Sequence, residues 1–132
     1  MKLEHIGIAV KDIEKSNALF TSIFNQAPYK REEVISEGVI TSFFKTGESK
    51  IELLQATTPE SAIAKFIEKK GEGIHHLAFE VADIEKEIER LKKEGFEMIH
   101  QKPKDGADNK RIAFLHPKST NGVLIEICQE KK

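Results

Sequence analysis

The first half of the chain alternates apolar and polar residues in an order that predicts one strand, one helix and then three strands. Residues 4–10 alternate between branched apolar side chains and small or polar ones, which is the period-two spacing of a strand. Residues 13–25 carry apolar side chains at helical spacing, and Asp12 stands where a helix cap is expected. The strands that follow are predicted at 29–35, 39–44 and 50–55.

The second half repeats this order of elements. A strand at 74–81 leads into a helix at 84–94, with Asp83 as its cap and Gly95 as its stop. The remaining strands are predicted at 96–101, 111–115 and 123–128, and the polar segments between them at 103–109 and 116–122.

A further helix is predicted between the halves. Thr58 is expected to cap it, Pro59 lies in its first turn, and Gly71 ends it. This segment is therefore expected to link the halves.

Two pairs of segments resemble each other across the halves. His5–Lys15 aligns with His76–Lys86 at an offset of 71 (76 − 5), with His, Val, Asp, Ile, Glu and Lys identical. Ile51–Gln55 aligns with Ile125–Gln129 at an offset of 74 (126 − 52). The pattern predicts an internal repeat in which each half opens with a histidine strand and closes with a glutamate strand.

The repeat predicts an α+β fold with helices packed against a largely antiparallel sheet. We expect one domain, 1–132, made of two modules at about 1–56 and 73–130 that superpose by a pseudo-twofold axis. The offsets differ by 3 (74 − 71), so an insertion is expected in a loop of the second half, at 103–109 or 116–122.

Four polar residues occupy matching strand positions in the repeat, and they are His5, Glu52, His76 and Glu126. Each points away from its bulky apolar neighbours, which are expected to pack under the helices and leave the other face free for a cleft. Any one of them alone would more often be a hydrogen-bonded structural residue, but the repeated placement favours a divalent metal site. Imidazole and carboxylate ligands suit Co, Ni, Mn, Fe or Zn and do not select among them.

Two neighbours of these residues have other expected roles. His75 points to the face opposite His76 and has no counterpart in the first half, so we expect a packed histidine. Cys128 shares the face of Glu126, where a thiol ligand is an alternative to a small buried filler.

The composition narrows the functional classes. The chain has 21 basic and 22 acidic residues, so no electrostatic surface for nucleic acid is expected. No apolar run reaches membrane-spanning length and no signal-peptide pattern is present. A single cysteine excludes an internal disulfide, which favours a cytoplasmic location.

Several stretches together resemble the vicinal oxygen chelate superfamily, which includes glyoxalase I, ring-cleaving dioxygenases and methylmalonyl-CoA epimerases. The resemblance covers nearly the whole chain and is most specific at Gly71–Phe79 and Phe114–Glu126. Within the superfamily the chain is most similar to the epimerases. Glyoxalase I usually has a shorter turn where this chain has 116–122.

The resemblance implies paired βαβββ modules that form an eight-stranded cleft-shaped sheet, often in homodimers. It implies metal-ligand roles for His5, Glu52, His76 and Glu126, and an acyl-CoA thioester substrate. The implied reaction is epimerisation through a metal-stabilised enolate, with Glu126 exchanging a proton with the substrate.

One position departs from the epimerase pattern. These enzymes carry a second acid/base glutamate on the strand after a Gly-Val turn, and counting from Gly38 the residue here is Thr41. Threonine does not ionise usefully, so another glutamate or a water must act, or the reaction differs. The alternatives are a glyoxalase I-like lactoylglutathione lyase acting on a hemithioacetal, and a member of the superfamily that only binds a small molecule.

Overall fold

The computed structural model describes residues 1–132 as an α+β fold with an eight-stranded mixed sheet and three α-helices. The strands are β1 Lys2–Ala9, β2 Lys30–Val34, β3 Val39–Thr46, β4 Ser49–Ala56, β5 Gly73–Glu80, β6 Lys104–Asp105, β7 Lys110–Leu115 and β8 Ile125–Glu130. The helices are α1 Ile13–Phe24, α2 Ala62–Lys70 and α3 Ile84–Lys93. The order is βαβββ on each side of α2, so the predicted fold class is confirmed.

The chain divides into two compact units. The first unit is His5–His75, and the second is Met1–Glu4 together with His76–Lys132. The sheet order is β2-β3-β4-β1 in the first unit and β5-β8-β7-β6 in the second. The module bounds 1–56 and 73–130, within one domain, stay a prediction.

The histidine and glutamate strands pair with the same register in both units. β1 runs parallel to β4 with Gly7 opposite Glu52, and β5 runs parallel to β8 with Ala78 opposite Glu126. Each small residue stands two positions after the histidine of its strand (7 − 5 and 78 − 76). The repeated placement of histidine and glutamate is therefore confirmed within each unit.

The helices that follow the histidine strands begin in the same way. Asp12 caps α1 by accepting hydrogen bonds from two N–H groups of its first turn, and Asp83 caps α3 by accepting one from the Lys86 N–H, as predicted. Gln55 accepts a hydrogen bond from the first N–H of α1 at 2.7 Å, and Gln129 accepts one from the first N–H of α3 at 3.0 Å. Both glutamines stand three residues after a glutamate (55 − 52 and 129 − 126), so each helix entry is tied to the glutamate strand.

The bulky apolar side of each strand set packs under a helix. α1 buries its apolar stripe against Phe44 and Leu53 in the first unit. α3 packs against Leu115 and Ile127 in the second unit. No helix is both long enough and apolar enough to span a membrane.

Truncation of the α3 core is expected to destabilise the protein strongly. Ile84 is fully buried in the cluster under α3, and removing most of a buried isoleucine leaves a cavity as well as losing burial. Ile84→Ala should lower the free energy of unfolding by about 2–5 kcal/mol in urea titrations. The matched control is Ile35→Ala, because Ile35 is 83% exposed. Equal effects of the two changes would contradict the assigned core.

The prediction that Thr58 caps the linking helix is wrong. Ser61 is the cap, and its hydroxyl accepts a hydrogen bond from the Ala64 N–H at 3.0 Å. Residues 57 and 58 are held against a distant turn instead. The Thr57 N–H donates to the Gly38 carbonyl at 2.7 Å, and a Cβ added at Gly38 would lie 2.7 Å from the Thr58 hydroxyl oxygen. The predicted end at Gly71 is confirmed.

We expected helices to pack only on the strand face that carries the bulky apolar side chains. The position of α2 shows that this expectation is wrong. Ile63 of α2 packs with Ala9 and Leu54. These two residues share strand faces with His5 and Glu52. In the first unit that face is therefore covered by α2 at its Ala9 end.

The strand predicted at 96–101 is wrong, and only an isolated bridge between Met98 and Leu115 is present. The Ile99 N–H donates to the Phe114 carbonyl at 2.8 Å, but the Phe114 N–H donates to His100 Nδ1 at 3.3 Å. A side chain thus takes the hydrogen bond that a continuing strand would make.

Strands β6 and β8 of the second unit also differ from expectation. β6 lies within the predicted polar segment 103–109, where it pairs with β7. β8 begins at Ile125 rather than 123, because the Val123 N–H closes a turn onto the Thr120 carbonyl at 3.1 Å.

The three extra residues of the second half lie between β7 and β8. Phe43 stands opposite Glu52, and Phe114 stands opposite Glu126. The phenylalanines keep the offset of 71 (114 − 43), whereas the glutamates have the offset of 74 (126 − 52). Of the two expected places, the insertion therefore belongs to the loop that contains 116–122.

Candidate functional site

The first unit brings together two of the four predicted ligands. His5 on β1 and Glu52 on β4 approach to 3.3 Å between Nε2 and Oε1. Their side chains are only 7% and 6% exposed. β1 and β4 pair in parallel, and the residue opposite Glu52 is Gly7, two positions after His5. This register places the two side chains close together.

The second unit repeats the arrangement. His76 on β5 and Glu126 on β8 approach to 3.4 Å between Nε2 and Oε1, with side chains 3% and 5% exposed. Removing a carboxylate from water costs free energy unless a hydrogen-bond partner or a cation compensates its charge. Each unit therefore contains a buried imidazole–carboxylate pair whose atoms are of the kind that bind divalent metals.

Cys128 does not extend this donor set. Its side chain is fully buried, and its thiol donates to the Phe79 carbonyl at 3.6 Å. Burial, reinforced by the nearby Glu126 and Glu4 carboxylates, raises the pKa of the Cys128 thiol far above its ordinary value. A thiolate ligand is thus disfavoured, and the expected role as a small buried filler fits.

Aromatic rings flank both glutamates, and this was missed in the sequence. Phe43 and Phe114 are the residues opposite Glu52 and Glu126, so they share the glutamate faces. The Phe114 ring contacts the His76 ring edge-on, with centroids 5.7 Å apart. The offset of 71 relates the two phenylalanines (114 − 43) and would have revealed them.

A second ring lies against each of these phenylalanines. Tyr29 contacts Phe43 with ring centroids 6.0 Å apart, and His100 contacts Phe114 at 5.7 Å. Tyr29 and His100 are again 71 residues apart (100 − 29). The repeat therefore extends beyond the His–Glu pairs to the aromatic residues around them.

Thr41 is buried on the Glu52 side of the first unit. It lies two residues before Phe43 on β3, which places both on one strand face. Its side chain is 1% exposed, and its hydroxyl donates to the Glu32 carbonyl at 3.1 Å. The position that the epimerase pattern gives to an acid therefore holds a neutral hydroxyl with a backbone partner.

His75 has the packed environment that the sequence predicts. Its ring meets the Phe66 ring edge-on, with centroids 5.0 Å apart. Phe66 belongs to the apolar cluster under α2, so His75 lies against the linking helix.

The sequence model of the Glyoxalase/Bleomycin resistance protein/Dioxygenase superfamily matches residues 4–114. The chain is 38% identical to an ethylmalonyl-CoA/methylmalonyl-CoA epimerase of Cereibacter sphaeroides, over 97% of each chain. The crystal structure of the hypothetical protein BH1468 from Bacillus halodurans is similar, with 46% identity, a TM-score of 0.96 and coverage of 99% of this chain and 95% of that one. A methylmalonyl-CoA epimerase in complex with methylmalonyl-CoA and an ammonium ion has 31% identity and a TM-score of 0.94, with coverage of 98% and 94%.

Proposed function

Because the chain belongs to the Glyoxalase/Bleomycin resistance protein/Dioxygenase superfamily, we propose that it is a metal-dependent epimerase of a methylmalonyl-CoA-type thioester. The observation that carries the proposal is the buried His–Glu pair that each unit holds in the same register. The similarity to epimerases over nearly the full chain supports the substrate class, an acyl-CoA thioester.

The residues proposed to hold one divalent ion are His5, Glu52, His76 and Glu126. Two imidazoles and two carboxylates fit Co, Ni, Mn, Fe or Zn, and no feature of the donor set selects one of them. When bound, the ion would supply positive charge that stabilises the negative charge developing on the thioester oxygen of the substrate.

Glu126 is the residue proposed to exchange a proton with the substrate. Its carboxylate would accept the hydrogen of the carbon between the two carbonyl groups and return a proton to that carbon. Glu126 is buried, with Phe114 opposite it on β7 and the His76 imidazole 3.4 Å from its carboxylate. Inversion also needs a proton donor for the other face of the carbon.

Thr41 keeps a second candidate function open. Its hydroxyl is bonded to the Glu32 carbonyl, so this position supplies no ionisable group for the other face of the substrate. A glyoxalase I-like lactoylglutathione lyase, acting on a hemithioacetal, would use the same His and Glu set without that group. A non-catalytic binding role is the remaining alternative.

A stereochemical assay tests the proposed function. Metal-loaded protein is incubated with one epimer of methylmalonyl-CoA, and the approach to an equal mixture of epimers is followed by chromatographic separation of the two intact thioesters, which are diastereomers. Inversion that requires both protein and metal is the expected result. No inversion, together with conversion of a hemithioacetal to a thioester, would establish the lyase instead.

Metal binding should depend on both units. We expect one equivalent of divalent ion per chain by elemental analysis, and loss of most of it in His5→Ala and in His76→Ala. His75→Ala is the matched control, because His75 packs on Phe66 instead. If either ligand variant retained the full equivalent, that histidine would not belong to the site.

A homodimer and a cytoplasmic location are also proposed. Leu19 and Ile23 lie one turn apart on α1 and are 58% and 61% exposed. Paired apolar side chains on an exposed helix favour association. Light scattering should give about twice the 14.9 kDa of one chain, and a mass of one chain at micromolar concentration would contradict the dimer.

A further inference from the structure

His100 is held beside the Glu126 half of the site by a side-chain hydrogen bond to the backbone. Its Nδ1 accepts the Phe114 N–H at 3.3 Å, and its ring lies on the Phe114 ring at 5.7 Å between centroids. The adjacent Ile99 N–H donates to the Phe114 carbonyl at 2.8 Å. Backbone and side chain thus fix the imidazole against one residue of β7.

The phenylalanine that holds His100 also belongs to the surroundings of the ligand pair. Phe114 is opposite Glu126 on β8, and its ring meets His76 edge-on at 5.7 Å. One aromatic ring therefore contacts both the histidine of the ligand pair and His100. His100 itself is half-buried, so part of the residue is accessible to solvent.

The hydrogen bond to Phe114 also determines where the imidazole carries its proton. A ring nitrogen that accepts an N–H hydrogen bond has no hydrogen of its own, so neutral His100 has its hydrogen on Nε2. His100 therefore carries a hydrogen-bond donor in a fixed orientation. A donor of this kind suits a carbonyl or carboxylate oxygen.

We propose that His100 is a substrate-positioning residue that donates its Nε2–H to an oxygen of the acyl thioester bound beside Glu126. The proposal rests on the proposed function, because that function supplies the thioester. It assigns no proton transfer to His100. The epimerase pattern includes no such residue. Here the His100 imidazole would orient the substrate from the segment before β6, and its contacts with Phe114 hold that segment against β7.

Two substitutions separate the donor from the structural hydrogen bond. In His100→Asn the amide oxygen can replace Nδ1 as the acceptor for Phe114, whereas the Nε2–H donor is lost. His100→Phe removes both groups and keeps a ring against Phe114. The matched control is His75→Asn, which truncates a half-buried histidine packed on the Phe66 ring in the first unit.

The test measures KM and kcat of the metal-loaded variants with methylmalonyl-CoA, and nitrogen NMR of His100 in the wild type. His100→Asn should raise KM by about 2- to 10-fold, the effect of one lost neutral hydrogen bond, with kcat within about twofold and the unfolding midpoint unchanged. His100→Phe should raise KM equally and also lower the midpoint. The NMR spectrum should show the Nε2–H tautomer, and its nitrogen signal should move when methylmalonyl-CoA is added.

The outcomes distinguish this proposal from the function on which it rests. If the wild type inverts methylmalonyl-CoA and His100→Asn has an unchanged KM, the positioning role is wrong while the epimerase stands. An Nδ1–H tautomer would overturn it in the same way. If the wild type acts on no malonyl-type thioester, both proposals fall.

Discussion

Glu126→Gln should retain appreciable metal binding and lose turnover by about 10²- to 10⁴-fold, the range typical of a general acid–base group. The amide keeps an oxygen at the position that lies 3.4 Å from His76 Nε2 in the parent protein. It cannot accept the substrate proton. Metal content by elemental analysis and the rate of α-hydrogen exchange measure the two effects separately.

Glu130→Gln is the matched control for this change. Glu130 lies on the same strand, β8, and is exposed to solvent. The control should exchange hydrogen at the rate of the parent protein. If Glu126→Gln exchanged hydrogen as fast as the parent while holding its metal, Glu126 would be a ligand only.

Thr41→Glu should raise the rate of inversion by supplying the acid that the epimerase pattern has at this position. Even a partly effective new acid should be measurable, because such groups contribute about 10²- to 10⁴-fold. One-face hydrogen exchange should remain intact, since it depends on Glu126. Chiral chromatography measures inversion, and NMR measures exchange on the same samples.

Thr41→Gln controls for the size and burial of the new side chain. Thr41 is 1% exposed and bonded to the Glu32 carbonyl, so both variants disturb the same packing. Only the glutamate should accelerate inversion. If wild-type protein already inverts rapidly and Thr41→Glu leaves the rate unchanged, another residue is the partner acid and Thr41 is the wrong position.

The parts of the fold that depend on local chemistry were predictable from the sequence. Asp12 and Asp83 cap their helices by bonds to N–H groups at most three residues away, so the residues themselves predict the helix starts. The element order and the fold class follow from the alternation patterns. The equivalent positions of Glu52 and Glu126 on their strands follow from the resemblance between the two glutamate segments.

The parts that depend on distant contacts were not predictable. Thr58 has the sequence features of a cap, but its neighbour Thr57 bonds to Gly38, so the helix begins after Ser61. The alternation at 96–101 predicts a strand, but the Phe114 N–H donates to the His100 side chain instead of to a neighbouring strand backbone. The start of α2 and the missing strand at 96–101 both depend on hydrogen bonds to residues far away in the sequence. Local sequence patterns carry no information about these bonds.

The candidate site divides in the same way. The repeat selected His5, Glu52, His76 and Glu126, and the structure brings one histidine and one glutamate together within each unit. The single site of all four residues stays a prediction. The contacts of Phe114 and His100 were missed because the repeat was recognised only from its histidine and glutamate segments, although the offset of 71 also relates Phe43 to Phe114 and Tyr29 to His100. The ring contact between His100 and Phe114 arises where the segment around Met98 lies beside β7.

The two buried His–Glu pairs are proposed to serve the removal of a proton from the carbon between two carbonyl groups. Proton NMR of methylmalonyl-CoA in deuterium oxide tests it most directly, with metal-loaded protein, metal-stripped protein and Glu126→Gln compared in parallel. We expect the α-hydrogen signal to disappear with the loaded protein and to persist in the other two samples. An α-hydrogen signal that persists with the loaded protein, or disappears equally fast in all three samples, would contradict it.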